Sequence, residues 1–316
     1  MKRLLTVACA LAFCASAAAQ YPAKPVRIVV PFPGGSATDT ITRILAQAIS
    51  PGFGQTMIVD NKPGADGAIA GAEVAKAPAD GYTLLMATNS PMSAVPAMKK
   101  SPPYDPVKDF TPITDIGRYT FFLYVNSNVQ AKTFQELVAY AKANPGKLAY
   151  ATGNTTGIVS FAQMNALAGI DMLHVPYKGE PQGITDLVGN RVQVMWATPT
   201  TGLPFVKEGK IRALVTQLNK RSPILPDVPT IHEAGLTKFT ITSWAALFGP
   251  AKLPKEIVAR LHKEFTTAMA KPDVQQQMEK QAFLLSPSTP EQLGAFVKEQ
   301  MESYRTILRA AGVQPE

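Results

Sequence analysis

Four short segments gather the residue types that hold an anion without an ionic partner. They are Pro31-Phe32-Pro33-Gly34-Gly35-Ser36, Thr88-Asn89-Ser90-Pro91, Thr152-Gly153-Asn154-Thr155-Thr156-Gly157 and Thr198-Pro199-Thr200-Thr201-Gly202. Each is rich in glycine, hydroxyl or amide groups, and none contains Lys, Arg, Asp or Glu. Glycine lets the backbone approach a ligand closely, and the free N–H groups at a helix start attract negative charge. Any one segment also suits an ordinary helix cap, where Ser, Thr and Asn are preferred. Four together, with no competing acidic group, point to an anion-binding cleft. Asp39 reads as a cap or a loop brace rather than a ligand contact.

Other chemistries lack their parts. His174, His232 and His262 have no metal-ligand spacing. There is no G-x-S-x-G elbow and no Walker A run, and Gly64, Gly67 and Gly71 miss the G-x-G-x-x-G pattern. His174 reads as a packed loop residue, and Glu233 and Asp227 as solvated surface. No catalytic set, cofactor or metal is expected. Lys and Arg total 31 against 23 Asp and Glu. They are scattered, without a nucleic-acid motif, and a mildly basic surface suits small anionic solutes.

The elements that must position the four segments alternate β-rich runs with amphipathic stretches, an α/β pattern. Strands are expected at 26–30, 57–60, 82–87, 121–125, 148–151, 192–197 and 211–216. Helices are expected at 39–49, 68–76, 133–143, from Gly157 or Ile158 through Leu167, from Pro254, and from Pro290 to a stop at Gly312. Three of the four segments lead from a strand into a helix, and the fourth does so if 202–207 is helical. Ligands of open α/β sheets bind beyond the carboxyl ends of strands.

The N-terminus has export-signal anatomy: Lys2 and Arg3, an apolar stretch over Leu4–Ala15, and Ala17-Ala18-Ala19. Cleavage is expected before Gln20. Both cysteines, Cys9 and Cys14, fall in the segment removed, so the mature chain would carry neither a disulfide nor a thiolate. A periplasmic location is expected.

Several ordered motifs resemble the extracytoplasmic substrate-binding proteins of tripartite tricarboxylate transporters, the Bug (TctC-like) family. They are Tyr21-Pro22-Ala23-Lys24-Pro25-Val26-Arg27 running into Val29-Val30-Pro31-Phe32-Pro33-Gly34-Gly35, then Asn61-Lys62-Pro63-Gly64-Ala65, and Ala75-Lys76-Ala77 with Asp80-Gly81-Tyr82-Thr83-Leu84. His174-Val175-Pro176-Tyr177-Lys178-Gly179, Leu225-Pro226-Asp227-Val228-Pro229-Thr230-Ile231 with Glu233-Ala234-Gly235, and Ser243-Trp244 follow. The resemblance implies a two-lobed periplasmic-binding-protein fold, type II-like, with the ligand cleft between lobes that close about a hinge. Carried onto this chain, residues 20–122 and 241–316 form one lobe and 123–240 the other.

The resemblance also implies a non-enzymatic receptor, expected to be a monomer, that captures an organic carboxylate and delivers it to transporter membrane subunits. Its binding loops map onto Phe32, Gly34, Gly35, Ser36, Ala65, Thr88, Asn89, Gly153, Asn154, Thr155, Thr156, Tyr177 and Thr198. A binding protein feeding a signalling receptor, or an enzyme on the same fold, are the alternatives. Phe161 stands where members often carry histidine, and Gly64-Ala65-Asp66-Gly67 where many read Gly-Ala-Gly-Gly. Both departures bear on ligand identity rather than fold.

Overall fold

The computed structural model describes residues 21–218, 220–310 and 315. The export signal, its cleavage site and the expected helix stop at Gly312 lie outside the described residues. Eleven strands and ten α-helices build two mixed sheets among the described residues.

The first sheet starts with β1 (Val26–Val30), a β-branched run almost wholly buried. It lies between β2 (Met57–Asn61) and β3 (Thr83–Thr88), both parallel to it. Runs dominated by apolar residues, as in β1 apart from Arg27, suit strands covered on both faces. β4 (Phe110–Tyr119), β10 (Ser243–Pro250) and β11 (Phe283–Leu285) complete the order β11-β4-β10-β3-β1-β2. The second sheet holds β5 (Phe122–Asn126), β6 (Ala149–Thr152), β7 (Leu173–Pro176), β8 (Val194–Ala197) and β9 (Ile211–Thr216), in the order β7-β6-β8-β5-β9. The chain passes to the second sheet after Tyr119 and returns before Ser243. Phe122, assigned by the expected division to the first lobe, opens the first strand of the second sheet.

Several helices differ from expectation, α1 and α5 through their N-caps. Helix α1 spans Ala37–Phe53 rather than 39–49. Ser36 caps it by accepting the Asp39 N–H at 3.3 Å, and it runs through Pro51 to a left-handed Gly54 with φ 80°. Helices α2 (Ala68–Ala75), α3 (Val95–Met98) and α4 (Phe134–Ala143) follow. Helix α5 spans Thr155–Ala168, because Asn154 Oδ1 accepts the Gly157 N–H at 2.8 Å. Thr155 and Thr156 therefore belong to its first turn, not to the loop before it. Helix α6 (Glu180–Val188) has no counterpart in the sequence reading, and α7 (Pro199–Lys207) begins earlier than expected. Helices α8 (Lys255–Met269), α9 (Pro272–Lys280) and α10 (Pro290–Ala310) close the chain.

His174 lies on β7, not in a loop. Its Nε2 is 2.7 Å from Thr152 Oγ1, and its ring stacks on Tyr150. Phe161 is fully buried, stacked on Tyr150 at 4.0 Å and edge-on to Trp196. The residue replacing the family's histidine is thus core.

Candidate functional site

β1, β3, β6 and β8 each release one of the four segments at their carboxyl ends. Their loops converge on a cleft between the two sheets, with ≈ 400 Å³ of empty space that includes its opening to solvent. It is lined by Phe32, Ser36, Thr88, Asn89, Gly153, Asn154, Thr156 and Thr198 from the sequence-derived set. The five others do not line it. Gly34, Gly35 and Ala65 are exposed, the Tyr177 hydroxyl donates to Asp186 Oδ2 at 2.7 Å, and Thr155 is buried beside the cavity. The lining adds Ala37, Thr38, Ser90, Tyr119, Phe121, Glu180 and Ser243.

The donors come chiefly from helix starts. The N–H groups of Ala37 and Thr38, in the first turn of α1, have no acceptor among the described residues. Such orphan N–H groups at the positive end of a helix form an anion site. Asp39 stiffens this loop: its carboxylate accepts from the Gly35 N–H (3.0 Å), Arg43 Nε (2.9 Å) and Asn61 Nδ2 (3.0 Å). Burial raises its pKa, but these three donors outweigh it and hold the carboxyl below the usual range. The Tyr119 hydroxyl donates to Thr38 Oγ1 at 2.8 Å, fixing the same turn from β4. The buried Thr88 and Ser243 hydroxyls have no partner among the described residues, so two further donors border the cleft unspent.

Asn89 behaves otherwise. Its Nδ2 donates to Thr242 O and to the Tyr304 hydroxyl, and its Oδ1 accepts the Trp244 N–H at 2.8 Å. Both amide hydrogens are committed, so the side chain frames the cleft rather than offering a free donor. The second sheet meets the first across the site. Thr156 N–H donates to Ser90 Oγ at 3.2 Å, with the two hydroxyls also 3.2 Å apart. Gly153 is required by crowding, since a Cβ there would lie 2.4 Å from the Glu180 backbone nitrogen.

No Lys or Arg lines the cleft. Arg118 is bound to Asp115 at 2.7 Å and Lys178 is exposed. Glu180 is the acidic residue among the seven lining residues outside the expected set. It is buried, and its Oε2 accepts from the Thr198 N–H and from the Thr198 and Thr201 hydroxyls. The signal was Gly179-Glu180-Pro181, a helix start with proline in its first turn. Among the described residues no group of three or more His, Cys, Asp or Glu is placed to hold a metal ion, and no helix is long and apolar enough to cross a membrane.

The sequence matches the family described as "Tripartite tricarboxylate transporter family receptor" over residues 41–313. It is 30% identical over 300 residues to Protein BugT of Bordetella pertussis, covering 93% of this chain and 91% of that one. It is 36% identical over 293 residues to a protein from the tcbD-tcbE intergenic region of Pseudomonas sp. (strain P51), covering 91% and 86%. Among solved structures, the periplasmic binding protein BugD superposes with a TM-score of 0.89 at 31% identity, over 94% of this chain and 100% of that one. An R. palustris protein with adipate superposes with a TM-score of 0.90 at 30% identity, over the same shares. MatC from Rhodopseudomonas palustris with bound malate gives 0.86 at 29%, over 91% and 100%. With the two-sheet fold, the strand-end cleft and this similarity along nearly its whole length, the chain belongs to the Bug/TctC-like family of tripartite tricarboxylate transporter receptors.

Proposed function

We propose that this protein is a periplasmic receptor that captures an organic carboxylate in the cleft between its lobes and delivers it to the membrane subunits of a tripartite transporter. The observation that carries the reading is the cleft itself. Uncommitted helix-start N–H groups and unspent hydroxyls line a buried space that contains no cation. Such a site rewards an anion through hydrogen bonds to a charged acceptor, each contributing about 1.5–3 kcal/mol. The adipate and malate of the two R. palustris relatives are of this chemical class.

The ligand grip falls to Ser36, the Ala37 and Thr38 N–H groups, Thr88, Asn154, Thr156, Thr198 and Ser243. Gly34 and Gly35 shape the first loop, and Ser90 with Thr156 ties the lobes together once the cleft closes. The chain crosses between lobes at about residues 120–121 and again within 217–242. The cleft carries no paired nucleophile and base among the described residues, which favours binding over catalysis. Export depends on residues 1–19, removed before Gln20.

A thermal-shift screen against linear mono-, di- and tricarboxylates tests the reading. At least one carboxylate should raise the melting temperature in a saturable way. A panel that leaves melting unchanged, while neutral sugars or cations raise it, would refute it.

A further inference from the structure

The cleft assigned above to a carboxylate also contains a carboxyl group of the protein. Glu180 opens α6, and its Oε2 is held by the Thr198 N–H (3.1 Å), Thr198 Oγ1 (2.7 Å) and Thr201 Oγ1 (2.9 Å). Its Oε1 takes no hydrogen bond from any described residue, and Glu180 lines the cavity. Three donors on one oxygen favour the ionised group, and a carboxylate so buried calls for a positive partner. None is built in. No Lys or Arg lines the cavity, and the titratable side chains that feel Glu180 are Tyr119 and Tyr124, their own ionisation pushed far up by burial. Tyr119 already donates to Thr38. Burial accordingly holds the Glu180 carboxyl above its usual range, against the pull of its three donors.

The cavity thus has two walls of opposite character. The start of α1 offers the Ala37 and Thr38 N–H groups and lacks an anion, while Glu180 offers a carboxylate oxygen and lacks a cation. We infer that the ligand supplies both charges: it is an amino carboxylate whose carboxylate meets the start of α1 and whose ammonium meets Glu180 Oε1. A ligand with carboxylates alone would set a second negative charge beside Glu180 or force Glu180 to take up a proton. An amino carboxylate does neither. The inference rests on the carboxylate reading and narrows it.

Isothermal titration of the parent with matched pairs tests it: succinate against aspartate, glutarate against glutamate, adipate against 2-aminoadipate. Members of a pair differ only in the amine. In at least one pair the amino member should bind about tenfold to a hundredfold more tightly, the range of one hydrogen bond between charged groups. Glu180→Gln should erase that advantage and leave the plain dicarboxylate bound as well as or better than before. The pairs are compared on the parent, so the test holds even if the variant folds poorly. Plain dicarboxylates that bind as tightly as their amino counterparts in every pair would overturn the inference and leave the carboxylate reading standing. Binding of no member of any pair would count against both.

Discussion

Asn89→Ala separates framework from ligand grip at a cleft-lining position where sequence and structure lead to different expectations. In sequence, an amide in a strand-end loop reads as a donor to the ligand. In the structure it is 1% exposed and makes three hydrogen bonds, to Thr242 O, to the Tyr304 hydroxyl and from the Trp244 N–H. The two bonds donated by Nδ2 contribute about 1 kcal/mol net each, and the truncation leaves the Trp244 N–H buried without an acceptor at about 1–3 kcal/mol. The variant should lose about 3–5 kcal/mol, a large share of the ~5–15 kcal/mol typical of a folded domain. Urea denaturation reads this as a lower midpoint at unchanged slope. Calorimetry on the folded variant should give a ligand affinity within about threefold of the parent, well inside the factor of ten that ~1.4 kcal/mol represents. An unchanged midpoint with at least tenfold weaker binding would refute the reasoning and return Asn89 to the ligand.

Other consequences are equally direct. Gly153→Ala would drive a methyl group into the backbone of Gly179 and Glu180, with the nearest atom at 2.4 Å; overpacking of this kind costs about 1–3 kcal/mol, and both melting temperature and affinity should fall. The Asp39 carboxyl is held below its usual range, so its contribution to stability is complete at neutral pH and is lost as pH falls through its depressed value. Asp39→Asn should flatten that acid limb in a melting-temperature profile. Glu180 is shifted the other way: its contribution is complete below the ordinary glutamate range and is lost as pH rises through the raised value. In the absence of ligand, the melting advantage of Glu180→Gln over the parent should therefore grow with pH. Ligand affinity should change little between low and high salt, because no Lys or Arg lines the cleft; a steep decline would bring Lys178 into direct contact.

The parallel strands other than β7, and the loops that follow them, were legible because their signals are local. Four of the five residues of Val26–Val30 are β-branched, and Ser36 and Asn154 are strong caps placed before apolar periodicity. β4 was not legible: Phe110–Tyr119 carries Pro112, Asp115 and Gly117 and lacks alternation, and it is a strand because β10 and β11 pair with its two sides. β10 reads Ser-Trp-Ala-Ala-Leu-Phe-Gly-Pro, buried throughout, a run that periodicity cannot assign to strand or helix. At the site, residue type marked the loops but not the direction of each side chain. Tyr177 turns to Asp186 and Asn89 to Trp244, while Glu180 enters the cleft from the first turn of α6. A search for uncharged loops could not find a buried acid beside them.

We place the ligand's carboxylate at the start of α1, between the two sheets. A crystal structure of the protein with its tightest-binding carboxylate from the thermal-shift panel tests it most directly. Ligand oxygens should lie within hydrogen-bond distance of the Ala37 and Thr38 backbone nitrogens, with Thr156 contributing from the opposite lobe. A ligand seated instead in the basic groove lined by Lys99, Lys100, Arg305 and Arg309, with the cleft unchanged, would contradict it.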